Sequence, residues 1–141
     1  MVSVALPEWS DSFSVGHDEL DGQHKRLLEL CRRAIECLKF EDGRYRLAEA
    51  RTILAELVDY VRLHFRAEEQ MMLEHAYPDY AAHKETHGLY EMRLESLLME
   101  AEDGILNIGE FVHYLSDWWY DHILVMDKAY TQSLAEKPRH P

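Results

Sequence analysis

The sequence predicts an all-α protein, an antiparallel up-down-up-down four-helix bundle with a non-helical N-terminal arm. Apolar residues recur with the 3.6-residue period of a helix in four segments, and no segment alternates convincingly like a strand. The connections between these segments are short, which favours antiparallel neighbours. We expect one domain over residues 1–141, with the arm at 1–16, the bundle at 17–135 and a frayed tail at 136–141.

Each predicted helix carries its apolar residues as a stripe along one face. The stripes run over Leu20–Leu38, Leu47–Met71, Tyr80–Ala101 and Phe111–Ala129. The methionines, including Met71 and Met72, are interpreted as core packing, since Met is a flexible apolar filler of protein interiors. In the arm, Trp9 and Phe13 are expected to pack on the bundle.

The breaks between the stripes have chemical causes. Asp42–Gly43 separates the first two helices, and Pro78 suits the first turn of the third, where its missing N–H costs nothing. Asp103–Gly104 can end the third helix, because glycine tolerates the left-handed conformation common at helix ends. Asn107 and Glu110 resemble a capping box for the fourth helix.

Composition and charge exclude some classes of partner. The formal net charge is −12, which argues against nucleic acid and anionic membrane surfaces. No apolar run approaches the roughly 18 residues of a spanning helix, and no signal peptide is apparent, so we expect a cytoplasmic protein. Cys31 and Cys37 would lie about 9 Å apart along one helix, too far for a disulfide, and are interpreted as reduced, packed thiols.

Residue types that bind metals interrupt all four apolar stripes. They are His24 in the first, His64 and Glu68 in the second, His83 and His87 in the third, and His122 in the fourth, with Asp127 five residues later. Residues four apart share a helix face, so each pair can reach one point in the core. A lone histidine in such a stripe is more often a satisfied core residue, and a lone glutamate usually reaches water from the stripe's edge. Together on four converging stripes, however, they favour a metal site, because metal cations offset the cost of burying them.

The ligand types narrow the choice of metal. Five imidazoles and two carboxylates suit iron, zinc, copper or nickel, and they are too many for one zinc ion. They suit two ions bridged by carboxylates, although spacing alone does not choose iron. The remaining histidines, namely His17, His75, His113 and His140, are not assigned as ligands.

The motifs that carry these residues resemble those of bacterial hemerythrins, oxygen-binding non-haem di-iron proteins. They are DGQH ending at His24, HFRAE at 64–68, HKETH at 83–87 and HILVMD at 122–127. The stretches WSDSFSVG at 9–16 and AYPDYAAH at 76–83 are also similar to those of bacterial members. The resemblance covers nearly the whole chain.

The resemblance implies two iron ions (Fe2+/Fe3+) with a bridging oxo or hydroxo group. One iron would be held by His83, His87 and His122, the other by His24 and His64, with Glu68 and Asp127 bridging both. This leaves one coordination position open for dioxygen, on the iron held by His24 and His64. His122 and Asp127 lie some 140° apart on a regular helix, so they either flank the stripe or are brought together by a local widening of the helix.

An apolar pocket for oxygen is predicted around the open position. Its expected walls are Leu27, Phe65, Trp118, Trp119 and Ile123. Core filling is sufficient to explain Trp118, whereas we hypothesise that Trp119 covers the open position as a lid. Gly88 lies in the middle of the third helix, where glycine lowers helix stability by about 1 kcal/mol relative to alanine. It is expected to allow close packing or a path for gas.

The function expected from the resemblance is reversible dioxygen binding for transport or storage, without enzymatic activity. Neutral imidazole ligands favour lower oxidation states of the metal ions than do the many carboxylates of di-iron enzymes with Glu-x-x-His pairs. Two alternatives stay open. One is sensing of oxygen, nitric oxide or redox state through a separate partner, and the other is a di-iron oxidase or iron-handling protein. The sequence does not identify a protein recipient for the oxygen.

Overall fold

The computed structural model describes residues 8–122. Its four α-helices are α1 (Asp18–Glu36), α2 (Gly43–Glu74), α3 (Tyr80–Glu102) and α4 (Ile108–Trp118). Single 3-10 turns at Asp11–Phe13 and Cys37–Lys39 flank α1, and residues 119–122 continue α4 as a π-helix. Residues 8–122 contain no strand, and the predicted four-helix bundle is confirmed. None of the helices in this range is long and apolar enough to cross a membrane.

The capping residues act where the sequence predicts helix ends. Asp42 begins α2 by accepting hydrogen bonds from the backbone N–H groups of Arg44 at 2.9 Å and Tyr45 at 3.4 Å. Asn107 begins α4 in the same way, accepting from the N–H of Glu110 at 3.0 Å. Gly104 ends α3 in the left-handed conformation, with φ at 74°. Each device satisfies backbone groups that a helix end would otherwise leave unpaired.

Pro78 lies before α3 and not in its first turn, so that expectation was wrong. The N–H of Tyr80 donates to the carbonyl of Tyr77 at 3.2 Å, closing a tight turn over residues 77–80. Pro78 takes the second position of this turn, where its fixed φ is favourable. The helix itself begins at Tyr80, with Asp79 as its N-cap.

The N-terminal arm packs on the bundle through aromatic contacts, as predicted. Trp9 and Phe13 meet edge to face with ring centroids 5.8 Å apart, and Phe13 meets Trp119 in the same way at 5.3 Å. Asp21 in the first turn of α1 accepts a hydrogen bond from the backbone N–H of Val15 at 2.8 Å. The arm is therefore joined both to the start of α1 and to the end of α4.

The core follows the predicted stripes, with corrections at Leu38 and among the methionines. Leu38 is exposed, because α1 gives way at Cys37 to a 3-10 turn that changes the direction of the side chains. Met72 is fully buried, whereas Met71 is only half-buried. Met92 and Met99 are exposed, so core packing was the wrong interpretation for them. Both lie some 120–140° round α3 from the direction of His87, on the outer side of the helix.

Candidate metal centre

The candidate ligands on all four helical segments meet inside the bundle. All six within residues 8–122 are buried: His24, His64, Glu68, His83, His87 and His122. They form two groups, and within each group one ligand atom per residue lies within 4.8 Å of the others. The first group is Glu68, His83, His87 and His122, and the second is His24, His64 and Glu68. Glu68 is the member that the two groups share.

One oxygen of Glu68 is the point on which three imidazoles converge. Its Oε1 lies 3.2 Å from Nε2 of His64, 3.3 Å from Nε2 of His87 and 3.2 Å from Nε2 of His122. Burial opposes ionisation of this carboxyl group, but attraction to His64 and contacts with His122 and His87 hold the pKa of Glu68 well below its usual range. A buried carboxylate of this kind requires positive charge beside it.

The Nδ1 atoms of two of these imidazoles contact polar side chains that the sequence analysis missed. Nδ1 of His64 lies 2.7 Å from Oε1 of Gln23, and Nδ1 of His87 lies 2.7 Å from Oε2 of Glu69. Because these oxygens only accept, each Nδ1 carries the donated proton. The available signal was position: Gln23 immediately precedes His24 and Glu69 immediately follows Glu68.

The donor set fits metal cations. An imidazole that donates from Nδ1 presents the lone pair of Nε2 when it is neutral, and the Nε2 atoms of His64 and His87 both face the carboxylate of Glu68. Burial lowers the pKa of His87, and the nearby carboxylates of Glu68 and Glu69 offset this only in part. His87 therefore resists taking up a second proton. A metal cation between the lone pairs and the carboxylate satisfies both kinds of atom at once.

Aromatic side chains enclose the imidazoles. Phe65 stacks on His87 with ring centroids 3.8 Å apart and planes 3° apart, and Trp118 lies parallel to His122. Leu27 and Trp119, two further predicted walls of the oxygen pocket, are fully buried. Ile123, the fifth predicted wall, falls outside the described residues. An apolar enclosure of this kind excludes water and strengthens electrostatic interactions within it.

The helix is widened in the turn that ends at His122. Residues 119–122 are π-helical, whereas the five-residue step from His122 to Asp127 lies outside the described residues. π-helical turns of this kind are frequent at functional sites. Asp127 itself lies outside the described residues.

The unassigned histidines of the described part of the chain stand apart from both groups. His17 caps α1, its Nδ1 accepting a hydrogen bond from the N–H of Leu20 at 3.3 Å. His75 and His113 are exposed, and His140 lies outside the described residues. Among the described residues nothing packs closely against Gly88, since a Cβ at this position would meet none of their atoms within 4 Å.

The fold and the donor set define a helical-bundle protein with a buried histidine–carboxylate cluster able to hold metal ions. A family model described as the hemerythrin HHE cation binding domain matches residues 15–133. The chain belongs to the hemerythrin family, as its sequence motifs indicated.

Individual relatives cover most of this chain. The bacteriohemerythrin of Stenotrophomonas maltophilia is 31% identical over 131 residues, which are 93% of this chain and 83% of the relative. A hemerythrin-like protein of Naegleria gruberi is 32% identical over 123 residues, covering 86% of this chain and 88% of the relative. The crystal structure of a wild-type hemerythrin matches with a TM-score of 0.79 at 28% identity, over 93% of this chain and 99% of that one.

Proposed function

We propose that this protein binds dioxygen reversibly at a di-iron centre, for oxygen transport or storage in the cytoplasm. The observation that carries this proposal is the sharing of Glu68 by two groups of buried ligands. A carboxylate common to two sets of imidazoles is what a bridge between two metal ions requires. When bound, two iron ions supply the redox chemistry on which oxygen binding of this type depends.

The two groups of ligands support a proposed role for each residue. His83, His87 and His122 would hold one iron, and His24 and His64 the other, with Glu68 as a bridge. Asp127 completes the proposed set as a second bridge, on the strength of its motif. Because the group of His24 and His64 offers fewer imidazoles, we propose that dioxygen binds at an open position on that side.

The chemistry of the donors supports a carrier over an oxidase. The proposed set combines five imidazoles with only two carboxylates, Glu68 and Asp127. Di-iron enzymes in helical bundles use several carboxylates, which stabilise the high oxidation states that attack substrates. In addition, Phe65 and Trp118 cover two of the imidazoles and limit the entry of water, which restricts side reactions of the centre.

The deciding experiment is an oxygen titration of the reduced protein, followed by its visible spectrum. We expect a nearly colourless reduced form, a charge-transfer band that appears with oxygen, and loss of that band under inert gas over repeated cycles. Metal analysis should find two irons per chain. Zinc-loaded protein, which has no redox chemistry, is the control and should stay colourless throughout.

Other outcomes would contradict the proposal. Direct conversion to a stable oxidised form, without a reversible band, would favour a sensor of redox state. Continuous oxygen consumption in the presence of a reductant would identify an oxidase. One metal ion per chain, or a preference for zinc, would exclude the di-iron centre itself.

A further inference from the structure

The two metal-binding groups differ in the side chain that supports an imidazole from behind. In one group, Nδ1 of His64 donates to the neutral amide oxygen of Gln23, and in the other, Nδ1 of His87 donates to the carboxylate of Glu69. Both N···O distances are 2.7 Å, so the two contacts are equally short. They differ in charge.

Glu69 is fixed on both sides and is almost completely buried. While its Oε2 accepts from His87, its Oε1 accepts from Nη1 of Arg66 at 2.9 Å. Arg66 is in turn held by Glu91 on α3, whose two carboxylate oxygens both lie 2.6 Å from Nη2. This chain of contacts leads from the metal centre to the surface, where the side chain of Arg66 is half exposed. Arg66 thus fixes the carboxylate of Glu69 in place and offsets the cost of burying it.

We propose that Glu69 is a positioning residue that makes the two halves of the centre unequal. It holds His87 in the Nδ1–H tautomer, with Nε2 directed at the cation, and it adds negative charge behind this ligand. Gln23 orients His64 in the same way without adding charge. A carboxylate behind a metal-bound imidazole raises the basicity of the ligand. The half that contains His83, His87 and His122 should therefore retain its cation longer and favour the ferric state.

The orienting role can be tested on metal-free protein. Long-range proton–nitrogen NMR spectra should show His87 protonated at Nδ1 in the wild type and in Glu69→Gln, whose amide oxygen still accepts the hydrogen bond. In Glu69→Leu, which is of similar size and accepts nothing, His87 should become a mixture of tautomers. An unchanged tautomer in Glu69→Leu would show that Glu69 does not position the ring.

The charge effect, which rests on the proposed di-iron function, is tested on iron-loaded protein. In Glu69→Gln, one of the two irons should be lost to a chelator about 10- to 100-fold faster, the range typical of such supporting residues. The reduction potential should rise, because negative charge that stabilises the ferric ion is removed. Gln23→Glu should produce the opposite shift in potential.

The matched control is Glu95→Gln, which removes the same charge from a surface pair with Arg62. It should change neither iron release nor potential. If Glu69→Gln binds two irons and matches the wild type in both measurements, the electronic role is wrong, although the di-iron proposal stands. If the wild type fails to hold two irons, the proposed function and the electronic role fall together, whereas the metal-free tautomer still decides the positioning role.

Discussion

The imidazole of His122 lies parallel to the indole of Trp118, with ring centroids 5.7 Å apart and planes 6° apart. The next residue, Trp119, instead meets Phe13 of the N-terminal arm, edge to face at 5.3 Å. Two consecutive tryptophans thus contact different parts of the molecule. Trp118 covers a candidate ligand, while Trp119 joins the π-helical turn that carries His122 to the arm.

Trp119 is predicted to slow the passage of gas to the open position. Trp119→Ala should speed oxygen release and shorten the life of the oxygenated state, with both irons still bound. Because loss of a buried indole costs about 3–5 kcal/mol, Trp119→Phe is the milder companion variant. Stopped-flow release and autoxidation rates are the measurements.

The contact between Trp119 and Phe13 of the arm allows a second test of the lid. Phe13→Ala keeps the indole of Trp119 but removes its aromatic partner, so both rates should shift in the same direction by a smaller factor. Rates equal to those of the wild type in Trp119→Ala and Trp119→Phe, with metal content intact, would show that Trp119 is not a lid.

Removal of Glu68 should be among the most damaging single substitutions for metal binding. Glu68→Ala takes a ligand from both groups, so we expect loss of both irons. His83→Ala takes a ligand from one group only and should leave more metal bound. Metal analysis of the two purified variants measures this difference, with circular dichroism as the check of folding. Retention of two irons by Glu68→Ala would contradict the bridging role.

Removal of iron should lower the melting temperature of the wild type. Without a cation, the buried carboxylate of Glu68 and the imidazoles around it lose their most favourable partner. A ligand present at about 1,000 times its dissociation constant stabilises a protein by about 4 kcal/mol. Scanning calorimetry before and after chelation, and after addition of ferrous iron, measures the effect. Glu68→Ala should show no such dependence, and a wild type equally indifferent to chelation would argue against a metal site.

Gly88→Ala should stabilise the protein by about 1 kcal/mol, because glycine is costly within a helix and the new Cβ meets open space among the described residues. Gly104→Ala is the control and should destabilise, since φ is 74° at this position. Denaturant unfolding followed by circular dichroism measures both. A loss of stability in Gly88→Ala would mean that the outer side of α3 is covered.

Neither cysteine should react in the native protein. Burial raises the pKa of Cys31 to about 12 and also raises the pKa of Cys37, so little thiolate forms near neutral pH. A thiol reagent at pH 8 should label neither residue until a denaturant is added, after which both should react. Prompt labelling of Cys31 in native protein would show that the core opens readily.

Much of the fold and of the candidate site was predictable because the governing signals are local. The helical period placed His24, His64, Glu68, His83, His87 and His122 on apolar faces, which is where the structure has them. Capping side chains act within a few residues of themselves, so Asp42, Gly104 and Asn107 predicted helix ends correctly. Pro78 was misplaced because proline suits a tight turn as well as a first helical turn.

The contacts between helices could not be predicted from the sequence and are seen only in the tertiary structure. Periodicity gives the direction of a side chain around its own helix, but not the helix that it faces or the rotation of that neighbour. The hydrogen bond from His64 to Gln23 joins α2 to α1, and the one from His87 to Glu69 joins α3 to α2. Likewise, Trp118 and Trp119 differ by one residue in sequence, and only the packing of the arm and the π-helical turn determines which of them lies against His122. The sequence by itself therefore determined the ligand types and the faces that carry them, because both are properties of single helices. Which ligands share Glu68, and which charge supports each imidazole, depends on how the helices pack.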